Sequence, residues 1–578
     1  MKIRCFSVVL LAGLPCLAAN LRQPLESVVA PATDANLRNS EADMLVLGDG
    51  RLMLAWTEFY TSKGSDWAPA RISAMYSKDK GATWQGKFTL QENIGKMNVM
   101  EPDLLRLQSG KVLFLFCRKN SEADCQPMVR RSNDGGATFS EPKPIPIEPA
   151  PSYTGFNHDR AIQLRNGRIL LPVFFTTDYR VDPHIRSRVY YSDDEGATWH
   201  ASKTIVDIAD SRAGAQEPGL IELSAGRIMM WMRTDKGKVY HCFSTDNAET
   251  ISEPKAMAVD SPLSPQSIKR LPTTRDLLMV WNYSTRNRFP LTVAISKDEG
   301  ETWQNFRNLD QDAAHTYAYT SIEFLDDRAL FTYYAGPPAG AKSEPRWSLK
   351  LKAVPLDWFY HSYTIVALGD SVTYGYRADG SVRSDQTFPA LIERELQKTL
   401  PGVQVVNAGI GGDTTWQMLE RLERDVKPYN PKLVIVMAGL NDASYLGPGA
   451  AERLEPRIPV EEYGKNLLDI VKRLRSDGAI VVVATPNPMT PRYPYAKSGW
   501  YKGRDINEAL EKYVAEARKV CLANGVELID VYAAYKKWKS YENTLPDGIH
   551  PNAEGHRFIA DQLIKSCRDH VRRWVTRF

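Results

Sequence analysis

The sequence predicts a chain of two domains, an all-β propeller followed by an α/β domain. The length of 578 residues exceeds what one hydrophobic core usually serves. An eight-residue motif recurs through the first 355 residues, and from residue 362 onward apolar strands alternate with amphipathic helices. An apolar fraction of 43% and a charged fraction of 25% are typical of globular protein, so both domains can bury a core.

The recurring motif is a Ser-Xaa-Asp turn that ends in Thr and usually an aromatic residue. Its copies, of which the fourth is degenerate, begin at Ser77, Ser132, Ser192, Ser244 and Ser296. They lie 55, 60, 52 and 52 residues apart, the length of a four-stranded antiparallel blade with its loops. Asp and Gly suit a hairpin turn in which the Asp side chain accepts from nearby amides. Residues from about 36 to 355 therefore predict six blades, with seven as the alternative, the last blade taking strands from both ends of the domain.

These repeats resemble the Asp-boxes, or BNR repeats, of sialidases. The resemblance implies a sialidase-like six-bladed propeller over residues 30–357. In that family the boxes lie at the blade periphery, so the activity has to be argued from other residues. It requires arginines that bind the substrate carboxylate through two nitrogens, a Tyr nucleophile activated by a Glu, and a separate Asp as acid and base.

Candidates for these roles occur in the family's order. The stretch around Glu217 resembles the one that supplies the Glu partner, and the stretch around Tyr319 resembles the nucleophile strand. Asp66 lies 11 residues before Ser77 and is the candidate acid and base. The candidate carboxylate-binding residues are Arg38, Arg233 and Arg288, with Arg286 as the alternative to the last. Arg118 and residues 157–160 are further candidates to reach the site.

The C-terminal region predicts a parallel sheet with helices on both faces over residues 360–578, after a boundary near 356–362. The predicted strands are 363–368, 403–407, 433–438, 479–484 and 526–529. The predicted helices are 388–400, 416–426, 460–476, 507–524 and 555–574. Ligands in such sheets bind beyond the carboxyl ends of the strands.

Four motifs lie at that edge of the predicted sheet. They are Gly369-Asp370-Ser371, the glycine-rich stretch 407–414, Gly439-Leu440-Asn441-Asp442, and the stretch 547–552 before the last helix. A Ser at a strand-to-helix turn is exposed for attack, and glycines let a backbone amide approach a reacting carbonyl.

In this order the four motifs resemble those of the SGNH hydrolases, which are GDSL-type esterases of flavodoxin-like, three-layer α/β/α fold. The resemblance implies that Ser371 is the nucleophile, that His550 takes and returns its proton, and that Asp547 orients the imidazole. It also implies an oxyanion hole built from the Ser371 amide, the Gly412 amide and the Asn441 side chain, with Gly411 as the alternative glycine. Four aromatic residues could line a rim on which sugars stack, although ordinary packing explains each of them equally well: Trp416, Tyr445, Trp500 and Tyr501.

The N-terminus predicts an exported protein, either periplasmic or secreted. A basic start, an apolar run from Phe6 to Leu14 and small residues at Ala18 and Ala19 indicate a signal peptide over residues 1–19. No later segment has the 18 unbroken apolar residues of a membrane span. A net charge of +4 without a dense basic run argues against nucleic acid as a partner. Because no Cys/His cluster has zinc-ligand spacing, we expect neither a metal nor a cofactor, and Cys117 and Cys125 form either a local disulfide or two buried thiols.

Together the two resemblances imply an exported hydrolase with an exo-sialidase-like propeller and a serine O-acetylesterase that acts on O-acetylated sialoglycans. Acetyl groups on sialic acid block or slow glycosidic cleavage, so that the esterase would clear the way for the sialidase. Two alternatives are an SGNH carbohydrate esterase targeted by a non-catalytic glycan-binding propeller, and an adhesin-like surface protein with vestigial activities.

Overall fold

The described residues between 25 and 355 form mainly antiparallel strands, and a parallel sheet with helices follows from residue 364. The computed structural model describes residues 24–338, 346–360, 363–400 and 402–575. The predicted signal peptide lies outside these residues. Within them, no helix is long and apolar enough to cross a membrane.

The antiparallel strands fall into consecutive sheets along the chain. The first strand is β1 (Leu25–Ala30). The first complete sheet follows and contains β2 (Arg38–Val46), β3 (Leu52–Phe59), β4 (Ala70–Ser77) and β5 (Gln85–Gln91). One larger sheet contains β6 (Asn98–Arg106), β7 (Val112–Ser121), β8 (Asp124–Ser132), β9 (Lys143–Pro144), β10 (Tyr153–Gly155), β11 (Ile162–Gln163), β12 (Ile169–Thr176), β13 (Arg186–Ser192) and β14 (His200–Ala201). Two four-stranded sheets follow, β15 (Gln216–Glu222), β16 (Ile228–Arg233), β17 (Lys238–Ser244), β18 (Lys255–Asp260), and β19 (Ser267–Arg270), β20 (Leu277–Asn282), β21 (Leu291–Ser296), β22 (Gln304–Asp310). The last sheet is β23 (Thr316–Leu325), β24 (Arg328–Gly336) and β25 (Ser348–Pro355), with β1 paired to β25.

Two pairings explain how these sheets are divided and joined. In the larger sheet, β8 and β10 meet only at the parallel pair of Tyr153 with Cys125, so that two antiparallel sets share one sheet. In the last sheet, Leu25 of β1 pairs with Ala353 of β25. Strands from both ends of the domain therefore share its final sheet, as the repeat spacing predicts.

The repeated turns have a common hydrogen-bond pattern. In the first copy, Ser77 Oγ donates to Asp79 Oδ1 at 2.8 Å and accepts from the Gly81 amide at 2.8 Å. The Thr83 amide and hydroxyl donate to the same carboxylate at 2.8 and 2.6 Å, and these bonds lower the pKa of Asp79 to about 2. The degenerate copy keeps the pattern, because Ala248 adopts φ 68° where the other copies have Gly. The turn is thus preserved at a backbone conformation that L-residues rarely adopt.

The C-terminal domain is built on a five-stranded parallel sheet in the order β27-β26-β28-β29-β30. Its strands are β26 (Thr364–Gly369), β27 (Gln404–Gly409), β28 (Leu433–Met437), β29 (Ile480–Ala484) and β30 (Glu527–Ile529). Its helices are α1 (Ser371–Tyr374), α2 (Phe388–Gln397), α3 (Thr415–Glu420), α4 (Leu422–Asp425), α5 (Val460–Ser476), α6 (Glu508–Ala523), α7 (Val531–Lys537) and α8 (Ala553–Val575). Helix α2 packs on α8, and α5 packs on α6. The prediction gave all five strands, but it missed the short helices α1 and α7.

The single helix predicted over residues 416–426 is wrong, because the chain forms two helices there, α3 and α4. The break is at Arg421, whose φ of −100° and ψ of 8° end α3. Its guanidinium is buried and donates to two backbone carbonyls and two carboxylates. Amphipathic periodicity does not reveal that an arginine in a helical stretch turns inward.

The two domains are joined through β22 and the edge strand β27. The Gln404 side chain donates to the Asn308 carbonyl at 2.8 Å and accepts from the Asn308 amide at 3.3 Å. Arg307 is buried beside this pair, with its guanidinium 3.6 Å from the centre of the Trp358 ring. It donates to the carbonyls of Trp358 and Gly402, so that one side chain links the propeller, the connecting segment and the α/β domain.

The described cysteines of the chain are unpaired. Cys117, Cys125, Cys242, Cys521 and Cys567 are free and buried. Of the two sequence-based alternatives for Cys117 and Cys125, the structure has the buried thiols.

Replacing Arg307 should destabilise the junction between the domains. Arg307→Met leaves two buried carbonyls without their donor, and we expect the free energy of unfolding to fall by about 1–3 kcal/mol. Urea unfolding followed by tryptophan fluorescence measures this change. Arg212→Met is the control, because the Arg212 side chain is 93% exposed. Equal midpoints for both variants would contradict the assigned role.

Candidate active sites

The ends of three strands and the segment before α8 bring the predicted hydrolase residues together. Ser371 begins α1 directly after β26, and its Oγ lies 3.0 Å from His550 Nε2. His550 Nδ1 lies 2.7 Å from Asp547 Oδ2. The three side chains therefore form a continuous hydrogen-bonded relay from hydroxyl to imidazole to carboxylate, which is the geometry that general-base activation of a serine requires.

Backbone amides of its own loop fix the orientation of the Asp547 carboxylate. Its Oδ1 accepts from the amides of His550 at 2.8 Å and Ile549 at 3.1 Å. Although burial raises its pKa, the hydrogen bonds from His550 outweigh this effect and lower the pKa of Asp547. The carboxylate is thus kept ionised next to the imidazole, an arrangement that can stabilise an imidazolium.

The predicted oxyanion residues lie on the other side of Ser371. Asn441 Nδ2 donates to the Asp413 carbonyl at 3.0 Å and lies 3.5 Å from Asp370 Oδ2. Gly412 has φ 84°, which only glycine adopts freely. A Cβ added to Gly411 would stand 3.9 Å from Ser371 Cβ, so the glycine turn passes directly beside the nucleophile.

Arg421 ties these strand ends to one another. It donates to the carbonyls of Gly369 at 2.9 Å and Ala408 at 2.9 Å, and its Nε lies 2.6 Å from Asp413 Oδ2. Because the Asp413 carbonyl in turn accepts from Asn441, one guanidinium supports three of the four motifs. The sequence gave no sign of this residue's role.

In the propeller, four inner-strand residues adopt positive φ at irregular positions of the strand pairing. They are Glu41 at 41°, Glu101 at 62°, Glu217 at 46° and Tyr319 at 57°. Each lies where the register shifts between its own strand and the next strand along the chain. Such bulges re-aim a side chain, and strained backbone of this kind clusters at functional sites.

The predicted nucleophile and its Glu partner are adjacent. Tyr319 Oη lies 3.4 Å from Glu217 Oε1, and Arg233 Nη1 lies 3.1 Å from Glu217 Oε2. Arg233 also donates to Gln216 Oε1 at 3.0 Å. Burial, followed by the Glu217 charge, raises the pKa of Tyr319 well above its ordinary value. A base is therefore needed for the phenol to act as a nucleophile, and Glu217 is in position to be that base.

Arg38 and Asp66 form an ion pair next to this group. Arg38 Nη1 lies 2.5 Å from Asp66 Oδ1, and the same guanidinium binds Glu41. Arg38 is buried, whereas the Asp66 side chain is 56% exposed. Although loss of water raises it, the charges of Arg38 and Lys119 bring the pKa of Asp66 down to about 2.

The remaining predicted arginines fall in different places. Arg288 lies with its guanidinium 5.6 Å from the centre of the Tyr319 ring and donates to Tyr334 Oη at 2.9 Å. Arg286 instead lines a cavity of about 490 Å³ between the two domains, so it is not an alternative to Arg288. Asn157, from the further candidates, lies with its Nδ2 3.4 Å from Glu217 Oε2.

The sequence analysis did not assign two acids of the propeller centre, the buried Glu41 and the partly buried Glu101. Burial and then the Glu217 charge raise the pKa of Glu101 to about 8, and burial raises that of Glu41 to about 7. Glu101 Oε2 accepts from the His158 amide at 3.0 Å and lies 3.1 Å from His158 Nδ1. One signal was present: Glu101-Pro102 and Glu217-Pro218 repeat the same dipeptide in the first strands of two sheets.

No group of three or more metal-ligating side chains occurs among the described residues.

Both domains match known families. Residues 367–558 match the GDSL-like Lipase/Acylhydrolase family, and residues 96–330 match the BNR repeat-like domain. Thioesterase 1/protease 1/lysophospholipase L1 of Escherichia coli (strain K12) is 29% identical over 207 residues, which are 36% of this chain and 83% of that protein. A sialidase of Bacteroides fragilis is 25% identical over 222 residues, which are 36% of this chain and 39% of the sialidase. The solved structure of Trypanosoma rangeli sialidase aligns with a TM-score of 0.47 and 14% identity over 57% of this chain and 59% of that one.

From the two family matches, the chain carries a sialidase-like BNR domain fused to an SGNH hydrolase domain.

Glu101 should make the stability of the protein depend on pH. With a folded-state pKa of about 8 against an ordinary value of 4.5, the folded protein binds the proton more tightly than the unfolded chain does. The contribution of Glu101 is therefore most favourable below pH 4.5 and is lost as the pH rises to about 8.

We expect Glu101→Gln to remove this part of the pH dependence. Urea titrations at a series of pH values give the unfolding free energies of wild type and Glu101→Gln. As the pH rises, the stability of the variant relative to wild type should increase. The exposed Glu253→Gln is the control. A difference that stays constant across this pH range would contradict the prediction.

Proposed function

We propose that the C-terminal domain is a serine esterase in which Ser371, His550 and Asp547 are the catalytic residues. The observation that carries the proposal is the unbroken relay, with 3.0 Å between Ser371 Oγ and His550 Nε2 and 2.7 Å between His550 Nδ1 and Asp547 Oδ2. The sequence relatives with names of esterases and thioesterases support the reaction class.

The reaction then follows from the geometry of the relay. His550 takes the hydroxyl proton as Ser371 Oγ attacks the ester carbonyl, and the negative charge develops on the carbonyl oxygen beside the Ser371 and Gly412 amides and Asn441 Nδ2. Collapse of this intermediate expels the alcohol, which receives the proton from His550. A water molecule, deprotonated by the same imidazole, hydrolyses the acyl-serine and regenerates the hydroxyl.

For the propeller we propose exo-sialidase-like glycosidase activity. Glu217 would accept the Tyr319 proton as the phenolate attacks the anomeric carbon, and Asp66 would protonate the leaving oxygen and later activate water. Arg38, Arg233 and Arg288 would bind the substrate carboxylate. The contacts of Tyr319 with Glu217 and of Arg288 with the Tyr319 ring support these roles.

We further propose that both domains act on O-acetylated sialoglycans outside the cell, after removal of residues 1–19. Deacetylation in the SGNH domain, over residues 360–578, would remove the group that hinders glycosidic cleavage in the propeller, over residues 30–357. We infer six blades for that propeller and three layers for the SGNH domain. The two antiparallel sets of the large sheet and the four other antiparallel sheets support the first count.

A second candidate function for the propeller is glycan binding without catalysis, which targets the esterase. One observation favours it: Arg38 and Arg233 already bind protein carboxylates, Glu41 and Asp66 in one case and Glu217 in the other. Guanidinium groups saturated in this way are also what a purely structural ion-pair network contains.

Two single substitutions separate the two proposed activities. Ser371→Ala should abolish release of an aryl alcohol from an aryl acetate and retain cleavage of a fluorogenic sialoside. Tyr319→Phe should do the reverse, because it removes only the phenol oxygen. Both substrates are assayed with wild type and both variants.

The outcomes decide between the candidates. Sialoside cleavage that survives in Tyr319→Phe contradicts the nucleophile assignment. A wild-type protein that binds sialosides without cleaving them supports the targeting propeller instead. Aryl acetate hydrolysis that survives in Ser371→Ala contradicts the esterase site.

Asn441→Ala should lower kcat for the aryl acetate by about 100- to 1000-fold, because an oxyanion donor acts mainly in the transition state. We expect KM to change little in the same steady-state measurement. Asn524→Ala at the end of α6 is the control. A variant with the kcat of the wild type would remove Asn441 from the oxyanion hole.

A further inference from the structure

The segment between the third motif and α5 folds back onto the hydrolase site. The Arg457 amide donates to the Ser444 carbonyl at 2.9 Å, and the Ile458 amide donates to the Asp442 carbonyl at 3.2 Å. The Arg453 amide donates to the Tyr445 carbonyl at 3.0 Å. Residues 453–458 are therefore fixed against the stretch that carries Asn441.

Arg457 reaches from this segment to the oxyanion side of the site. Its Nη1 lies 3.4 Å from Asn441 Oδ1, the oxygen of the same amide whose nitrogen faces Asp370 and Asp413. Its Nη2 lies 3.5 Å from Gln417 Oε1, near the start of α3. Both contacts are long, and both acceptors are neutral, so most of the hydrogen-bonding capacity of the guanidinium is not used by them.

The positive charge of Arg457 has no close carboxylate partner. In the part of the chain that the structure describes, no Asp or Glu oxygen forms an ion pair with it within 4.0 Å. The nearby Asp413 is already paired with Arg421 at 2.6 Å. Asp442 accepts two hydrogen bonds from Thr415 at 2.6 and 2.9 Å. Half-burial lowers the pKa of Arg457, the charges of Asp442 and Asp413 oppose this effect, and the charge of Arg453 reinforces it.

Aromatic side chains occur in the two stretches that the 453–458 segment contacts, next to Gln417 and at Tyr445. Trp416, beside Gln417, is 47% exposed. Tyr445 and Trp500 stack with their ring centres 4.0 Å apart and their planes within 5° of parallel. A sugar acid can pack its ring faces on aromatic groups and pair its carboxylate with a guanidinium.

We propose that Arg457 forms an anion-binding subsite of the esterase and pairs with a carboxylate on the sugar that carries the ester. The inference rests on the proposed esterase function and adds to it the class of substrate, an O-acylated sugar acid. A half-buried guanidinium with neutral partners gains a charge-assisted pair when such a substrate binds, whereas a neutral sugar ester offers it no anion.

The test compares two substrates that differ only in charge. Acetate release is measured from O-acetylated N-acetylneuraminic acid and from its methyl ester, which keeps the acetyl group and neutralises the carboxylate. We expect the ratio of kcat/KM, acid over methyl ester, to fall by about 10- to 100-fold in Arg457→Gln. Arg457→Lys should keep part of the preference, because it retains the charge without the planar fork.

A purely positioning role for Arg457 gives a different result. If Arg457 only orients Asn441, its loss slows both substrates equally and leaves the ratio as in the wild type, which would overturn the proposal. Arg453→Gln, in the same segment, controls for a long-range effect of positive charge. If this variant lowers the acid-to-ester ratio as much as Arg457→Gln does, a direct contact between Arg457 and the carboxylate is contradicted. Wild-type hydrolysis of an aryl acetate without any preference for the sugar acid refutes this subsite alone, and the absence of hydrolysis of every ester refutes the esterase as well.

Discussion

The regular geometry of β-strands is the constraint on which both sites depend. Inside a sheet, side chains alternate between two faces and pack as core, so a group that does chemistry has to leave where that regularity stops. In the SGNH domain it stops at the carboxyl ends of β26, β27 and β28, which carry Ser371, the glycine turn and Asn441. In the propeller it stops inside the first strands, at bulges that carry Glu41, Glu101, Glu217 and Tyr319. Left-handed backbone at such residues costs about 1–2 kcal/mol each, so their retention in one centre points to use of that centre.

The two kinds of irregularity differ in how much the sequence reveals. A strand end is a change of residue type along the chain, and for that reason Ser371, Asn441 and the relay residues Asp547 and His550 could be predicted to meet. A bulge adds one residue to a strand with little change in its hydrophobic pattern, and only the Glu-Pro dipeptide that Glu101 shares with Glu217 marked its position. Arg457 could not be predicted either, because hydrogen bonds between backbone groups of residues 442–445 and 453–458 bring it to the site, and such bonds leave no mark in the side-chain pattern.

The interrupted helix after β27 has a related cause. Helical periodicity over residues 416–426 is real, but the carbonyls at the ends of β26 and β27 need donors once they are buried. Arg421 supplies them, together with the ion pair to Asp413, and the chain leaves helical geometry at that residue to do so. The same guanidinium that breaks the helix therefore holds the nucleophile turn, the glycine turn and Asn441 in a single arrangement. Here the requirement that buried polar groups be hydrogen-bonded outweighs the local helix propensity of residues 416–426.

In the glycosidase reaction proposed for the propeller, the charge balance of its centre would link substrate binding to acid catalysis. A general acid must carry a proton, yet Arg38 and Lys119 hold the pKa of Asp66 at about 2, where the group is ionised at neutral pH. A substrate carboxylate that pairs with Arg38 competes for the same guanidinium and adds a negative charge beside Asp66. Both effects raise the pKa of Asp66, since they weaken its ion pair and disfavour its anion. On that proposal, the ion pair of the free protein would keep Asp66 unprotonated until an anionic sugar occupies the centre, whereas a neutral sugar would not compete for Arg38.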